Sequence, residues 1–197
     1  MAKEVETEKV IQAARSSIPL TVKTFTLPHD TEIYLEEILA VFLKEMDQER
    51  LKDPLAYCLR ELAVNAKKAN TKRVYFREKE LDILNSQQYQ EGMQNFKQET
   101  LDNIGHYLEL QKEAGLYIKV IFHSKAGRLY LYVTNNTEIT RHEQIRVFDR
   151  IARSRAFESM EEALATVIDD SEGAGLGIVI MILMLKKIGL DEDAFDI

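Results

Sequence analysis

Two short strings, far apart in the sequence, constrain this chain more than any other feature. The first is Glu-Leu-Ala-Val-Asn-Ala-Lys-Lys-Ala at residues 61–69, and the second is Gly-Ala-Gly-Leu-Gly-Ile at residues 173–178. The first string fits a helix, where residues four apart share a face, so Glu61 and Asn65 align and Lys68 lies near them. The second string is a glycine-dense loop that opens an apolar helix. Together they indicate two halves of one phosphate-binding site.

The composition narrows the class of protein. The chain has 197 residues, 45% of them hydrophobic, which fits one globular domain or one domain with an added segment. The net charge of -7 argues against non-specific nucleic-acid binding, since such binding neutralises phosphates with cations. We therefore expect no nucleic-acid partner, although a local basic patch could exist at residues 67–73.

Two further features bear on location and redox chemistry. The apolar run at residues 178–185 is shorter than the roughly 20 residues of a membrane span, and the first residues do not resemble a signal peptide. We expect a soluble, cytoplasmic protein without a membrane partner. Cys58 is the single cysteine and lies in an apolar helical stretch, so a small buried side chain is a better interpretation than a nucleophile.

Hydrophobic periodicity predicts alternating helices and strands. The clearest element is a hairpin of two alternating segments, 116–122 and 129–133, around a turn at 124–127. The pattern also predicts one or two helices within 78–113. Helices are further predicted at 31–46 (capped by Thr31), 53–69, 142–151 and 176–187, and strands at 21–27, 73–76 and from 194. This mixture predicts an α+β fold, a two-layer sandwich with helices on one face of a mixed sheet.

The residue types in the two strings suit phosphate and metal chemistry. Glu61 and Asn65 offer the oxygen ligands that Mg²⁺ prefers, Lys68 can neutralise a phosphate, and a carboxylate can accept a proton. Gly173, Gly175 and Gly177 let a backbone approach a phosphate, and the amides of the following helix favour an anion. The plainer interpretations remain open: a solvated helix face for the first string, and a hinge with close helix packing for the second.

In both strings the residues resemble boxes of the histidine-kinase-like ATPase superfamily, which includes gyrase, chaperone, histidine kinase and mismatch-repair ATPases. The string at 61–69 resembles its N box, and the glycines at 173–177 resemble its second glycine box. Between them, Val-Phe-Asp-Arg-Ile-Ala-Arg-Ser at 147–154 is similar to its phenylalanine-box region. The resemblance covers residues 21–197 apart from an insertion at 78–113. Its layout is closest to anti-sigma-factor serine kinases and sensor kinase ATP-binding domains.

This resemblance implies a Bergerat-type ATP-binding fold that binds ATP and Mg²⁺. Asn65 would hold Mg²⁺, Lys68 would approach phosphate, and Glu61 would be the candidate base. The backbone at Gly173, Gly175, Leu176 and Gly177 would bind the triphosphate. Residues 1–20 would be an N-terminal extension, residues 21–197 the ATPase domain, and residues 140–172 its mobile lid.

One box departs from the family pattern. Where the first glycine box usually has an adenine-binding Asp followed by glycines, residues 133–139 read Val-Thr-Asn-Asn-Thr-Glu-Ile, so Asn135 replaces the acid. An amide can accept a hydrogen bond from an adenine amino group, but without the assistance of charge. His29 follows Pro28 and is predicted to lie in a turn rather than to accept phosphate.

Three functions therefore stay open at this point. One is a regulatory kinase or ATPase domain that phosphorylates a partner protein in signal transduction. Another is a pseudo-kinase whose fold serves as a protein-interaction module, and the third is a scaffold segment of a longer kinase. A homodimer is compatible with each of them.

Overall fold

A computed structural model describes residues 5–157, 159, 161–163, 176–190 and 194–197. These residues form two compact units. Unit 1 consists of the described residues of Met1–Lys52 and Leu62–Glu138, and unit 2 consists of those of Asp53–Glu61 and Ile139–Ile197. Among all of these residues, no helix has both the length and the apolar character needed to cross a membrane.

The described chain is α+β, as predicted. Its helices are α1 (Thr7–Arg15), α2 (His29–Glu45), α3 (Lys52–Glu78), α4 (Ser86–Asp102), α5 (Ile104–Glu113), α6 (Arg141–Ala156) and α7 (Leu176–Lys187). Its strands are β1 (Leu20–Thr24), β2 (Ile118–Lys125) and β3 (Arg128–Asn135), in the order β1-β2-β3. Both pairings are antiparallel, so the sheet formed by the described residues is not the mixed sheet that was predicted.

The β2–β3 hairpin confirms the clearest prediction from the sequence. Its loop residues Ala126 and Gly127 have φ values of 51° and 73°. Two consecutive positive φ values match the right-handed twist of a two-residue hairpin, and glycine adopts the second without strain. β1 ends at Thr24 rather than at residue 27.

The core of unit 1 lies between one face of the sheet and helices α1 and α2. Val120 and Phe122 of β2 are buried, and the Phe122 ring stacks on Phe42 of α2 at 5.8 Å between centroids. The Ser124 hydroxyl donates to the backbone oxygen of Ala14, which joins β2 to the end of α1. α2 begins at His29 with Pro28 in the cap position, so Thr31 lies inside the helix and the prediction that Thr31 caps it was wrong.

The predicted strand at 73–76 is also wrong, because α3 continues through it to Glu78. Val74, Tyr75 and Phe76 are buried there in an aromatic cluster with Tyr89 and Tyr107. The β-branched and aromatic residues suggested a strand, but packing against α4 and α5 outweighs that local preference. The region 78–113 forms two helices, as predicted.

Gly92 lets α4 pack closely against this aromatic cluster. A Cβ built on Gly92 would lie 2.7 Å from one ring atom of Phe76 and 2.9 Å from another. We expect Gly92→Ala to lower the free energy of unfolding by about 1–3 kcal/mol, because the buried Phe76 ring would have to shift. Gly105→Ala is the control, since nothing lies within 4 Å of its Cβ position. Urea unfolding measures both, and equal stabilities of the two variants would contradict the expectation.

A group of ionisable side chains joins the end of α3 to α5. The Glu78 carboxylate interacts with the His106 ring, and its hydrogen bonds to His106 and then Tyr107 lower the pKa of Glu78 below its usual 4.5. A carboxyl group with a lowered folded pKa stabilises the fold above its unfolded pKa and loses that contribution as the pH falls through the folded value.

We therefore expect unit 1 to lose stability as the pH falls below about 4.5, in part through Glu78. Glu78→Gln should show a smaller loss over the same range, whereas Glu113→Gln, at an exposed position of α5, should follow the wild type. The measurement is the urea unfolding midpoint of each protein at a pH above about 4.5 and at a pH below it. A Glu78→Gln variant with wild-type pH dependence would show that the contact contributes nothing.

Unit 2 contains the packed pair α6 and α7. Val179 and Leu183 of α7 are buried with Ala163, and Lys186 donates to the backbone oxygen of Arg155 at 2.9 Å. α6 begins with a capping box between Thr140 and Glu143. The predicted helix 176–187 is confirmed. Residues 194–197 are not in a strand, so the predicted final strand was wrong.

Candidate functional site

Helix α3 carries the polar row of the first string. Glu61 and Asn65 lie one turn apart and are half-buried, whereas Lys68 is exposed. The adjacent face of the helix is apolar, since Leu59, Ala63 and Ala66 are buried. The helix therefore presents a carboxylate and an amide beside a buried stripe, as predicted, with a cation near the same face.

Glu61, the first residue of the first string, and Gly177 of the second string lie together in unit 2. A Cβ built on Gly177 would overlap the Glu61 carboxylate and lie 2.7 Å from the Glu61 Cγ. Gly177 is the second residue of α7, so this carboxylate lies against the N-terminal turn of that helix. The first backbone N–H groups of a helix lack partners within the helix and carry partial positive charge, which favours an anion there.

This contact explains why residue 177 is a glycine. Any side chain at this position would displace Glu61 from the helix terminus. The N-terminal turn that contacts the carboxylate has the chemistry of a phosphate-binding turn. Gly173 and Gly175 lie outside the described residues, as do residues 158, 160 and 164–172 of the predicted lid; the described part of the lid contains α6.

Asn135, which stands in place of the expected Asp, takes part in a hydrogen-bond network in unit 1. Its Nδ2 donates to Asn70 Oδ1 at 3.1 Å and to Thr137 Oγ1 at 2.6 Å, and Asn70 Nδ2 donates to the Tyr117 backbone oxygen at 3.2 Å. Both Nδ2 hydrogens of Asn135 are used in these bonds, so Oδ1 is the atom through which it can contact a ligand amino group.

Asn70 was missed in the sequence. It is fully buried and links α3 to the start of β2 and the end of β3. Its position could have identified it as a core residue, because it continues the helical spacing of the buried residues Leu59, Ala63 and Ala66. A polar residue at a core position of a helix needs a hydrogen-bond partner, and Asn70 has two, the Tyr117 backbone oxygen and the Asn135 side chain.

The donor types in this region fit Mg²⁺. Asn65 and Glu61 supply one amide and one carboxylate oxygen a helical turn apart. Mg²⁺ commonly uses one or two protein oxygens, with substrate phosphates and waters completing its shell. Within the described parts of the chain, three or more His, Cys, Asp or Glu residues do not come together as a metal site.

Cys58 and two cations of the predicted basic patch have structural roles within the protein. Burial raises the pKa of the Cys58 thiol to about 12, so it stays protonated and packs as an apolar side chain, in agreement with the prediction. In the predicted basic patch, Lys72 Nζ donates to the Tyr89 hydroxyl at 3.3 Å and Arg73 donates to the backbone oxygen of Glu138. These two cations therefore contact the protein itself.

The chain is similar to a protein of Treponema pallidum (strain Nichols) that is described only as an uncharacterized protein. The two are 50% identical over 191 residues, which are 97% of this chain and 37% of that relative. The chain therefore spans little more than a third of the relative's length. No protein-family model matches the chain, and no solved structure matches it.

Proposed function

We propose that this chain is a nucleotide-binding regulatory domain of the histidine-kinase-like ATPase superfamily, with a Bergerat-type arrangement. It binds Mg-ATP and transfers the γ-phosphoryl group to a partner protein, or hydrolyses ATP slowly. The observation that supports this most is the contact between Glu61 and Gly177, since it brings together one residue from each of the two family-like boxes.

Each residue in the proposal has a distinct task. The N-terminal amides of α7 at Leu176 and Gly177 bind the triphosphate. Asn65 holds Mg²⁺, which neutralises charge on the phosphates, and Lys68 adds a mobile positive charge near them. Catalysis of phosphoryl transfer depends mostly on positioning and charge neutralisation, so these three contributions account for most of the chemistry.

Glu61 serves as the general base in this proposal. Its carboxylate lies against the N-terminal turn of α7. With a triphosphate bound there, it could accept a proton from an attacking hydroxyl or water. Glu61 is half-buried, which limits its range of orientations.

A second candidate function, a pseudo-kinase that acts as an interaction module, is favoured by Asn135. Its amide hydrogens are committed to Asn70 and Thr137, and an uncharged acceptor binds an adenine amino group less strongly than a carboxylate does. In this alternative, the same network stabilises the fold and the chain contacts a partner protein without a nucleotide.

Titration calorimetry with ATP, ADP and GTP in the presence of Mg²⁺ distinguishes the two candidates. We expect Mg-ATP to bind, and Asn65→Ala to weaken this binding at least about tenfold, which corresponds to about 1.4 kcal/mol. Asn95→Ala is the matched control, because Asn95 is an exposed residue of α4.

Two results would count against the kinase or ATPase proposal. One is no binding of any of the nucleotides at high micromolar concentration. The other is an Asn65→Ala variant that binds Mg-ATP as tightly as Asn95→Ala does. The interaction-module candidate would gain support if, in addition, Asn65→Ala retained the association of the chain with its partner.

A further inference from the structure

The outward face of the β1-β2-β3 sheet, on the side opposite the core of unit 1, carries basic and aromatic side chains. Its side chains alternate with the buried ones and stand next to each other in register: Lys23 beside Lys119, His123 beside Tyr130, and Lys125 beside Arg128. We call this surface the basic sheet face. It consists of Thr21, Lys23, Lys119, Ile121, His123, Lys125, Arg128, Tyr130, Tyr132 and Thr134.

The charge of the basic sheet face is opposite to that of the chain. All residues of the three strands are described, and none of them is Asp or Glu. Four cations lie on this one face, although the chain as a whole has a net charge of -7. The overall charge led us to expect no nucleic-acid partner, and the basic sheet face is a local exception to that average.

The aromatic side chains on this face are exposed and aligned. Tyr130 and Tyr132 have 36% and 47% of their surface exposed. Their rings are nearly parallel, with an angle of 8° and centroids 6.3 Å apart, and the His123 ring is 6.3 Å from that of Tyr130. Two residues apart on a strand, such rings form a regular row of flat surfaces in water.

A second aromatic group lies at the β1 side of the same sheet. Lys23 Nζ is 4.0 Å from the centroid of the Tyr117 ring and 5.5 Å from that of Phe25, whose surface is 44% exposed. On the sheet itself, Tyr130 and Tyr132 lie between two pairs of cations, Lys23 beside Lys119 and Lys125 beside Arg128. A ligand that suits this surface has both negative charges and planar groups at intervals.

We propose that the basic sheet face binds single-stranded nucleic acid. Unpaired bases stack on Tyr130 and Tyr132, and the phosphates lie near Lys119, Lys125 and Arg128. An antiparallel sheet with exposed aromatic residues binds unpaired bases in this manner in known RNA-binding domains. Stacking does not depend on which base is present, so the binding has little sequence preference.

Two other anionic partners fit this face less well. An acidic protein segment would use the cations but would not need two parallel rings. An anionic membrane favours apolar side chains that can enter the lipid, whereas the two aligned rings here, Tyr130 and Tyr132, carry hydroxyl groups. We therefore regard single-stranded nucleic acid as the occupant and use the other two as outcomes of the test.

Fluorescence anisotropy with labelled oligouridylate and oligothymidylate tests the proposal at low and moderate salt. We expect micromolar binding of the wild-type chain that weakens as salt is added. Tyr132→Ala should weaken it at least about fivefold, and Tyr132→Phe should retain it, because phenylalanine keeps the stacking ring. Lys119→Gln should reduce the salt dependence, whereas Lys97→Gln, at an exposed position of α4, should not.

The outcomes separate the possible partners. Tighter binding of oligouridylate identifies RNA as the ligand, and tighter binding of oligothymidylate identifies DNA. Either result supports the proposal. Binding of a duplex as tight as that of a single strand would overturn it. The absence of oligonucleotide binding at low salt would also overturn it. A third contrary result is that anionic vesicles or polyaspartate bind as tightly as the oligonucleotides, and that Tyr132→Ala leaves this binding unchanged.

Discussion

Glu61→Gln is expected to lower the rate of ATP turnover by about a hundredfold or more while leaving Mg-ATP binding nearly unchanged. The substitution preserves the shape of the side chain at the α7 terminus but removes its ability to accept a proton. A group that acts only on the developing transition state changes the rate and not the affinity. The measurement is phosphate release under saturating Mg-ATP, with binding followed separately by calorimetry.

The control for this experiment is Glu109→Gln, which alters a surface ion pair of α5 with Lys112. It should leave both rate and affinity unchanged. If Glu61→Gln hydrolyses ATP as fast as the wild type, Glu61 is not the base and its contact with Gly177 serves only the helix terminus. If the wild type binds Mg-ATP but releases no phosphate, either alone or with a partner protein, the phosphoryl-transfer part of the proposal is wrong.

Gly177→Ala is expected to weaken Mg-ATP binding at least about tenfold. The added Cβ would occupy the position of the Glu61 carboxylate and would fill space beside the N-terminal amides of α7. Because the displaced carboxylate is the end of a flexible side chain, the free energy of unfolding should change by less than about 1 kcal/mol. Calorimetry and urea unfolding of the same variant measure the two effects.

Gly105→Ala is a closely matched control. Gly105 is also the second residue of a helix, α5, but no atom lies within 4 Å of its Cβ position. It should bind Mg-ATP as the wild type does, with equal or slightly higher stability, because alanine favours helices. Equal affinities for Gly177→Ala and Gly105→Ala would contradict a phosphate site at the α7 terminus.

Patterns of neighbouring residues in the sequence correctly predicted the β2–β3 hairpin and α7, which depend mainly on local residue preferences. The hairpin was readable because Gly127 adopts a positive φ at little cost and the flanking strands alternate. α7 was readable from its apolar run and from Gly189, whose φ of 80° ends the helix. Residues 73–76 were wrongly predicted to form a strand because their side chains favour strands. The packing of Phe76 against Tyr89 depends on residues distant in the sequence, so no local pattern indicated it.

The candidate site was predictable in part. The spacing of Glu61 and Asn65 places them on one face of α3 from helical geometry alone. That Glu61 contacts Gly177 depends on how unit 2 folds, which the spacing of residues within either string does not specify. The network around Asn70 joins residues far apart in sequence, so no local pattern revealed the partners of Asn135.

Structure determination with Mg²⁺ and a non-hydrolysable ATP analogue tests the central claim most directly, since it examines phosphate, metal and base together. We predict that the triphosphate contacts the backbone amides of Leu176 and Gly177, that Mg²⁺ is bound by Asn65, and that Glu61 lies beside the γ-phosphate. An analogue bound elsewhere on the chain, or none bound at a saturating concentration, would contradict the proposed nucleotide site.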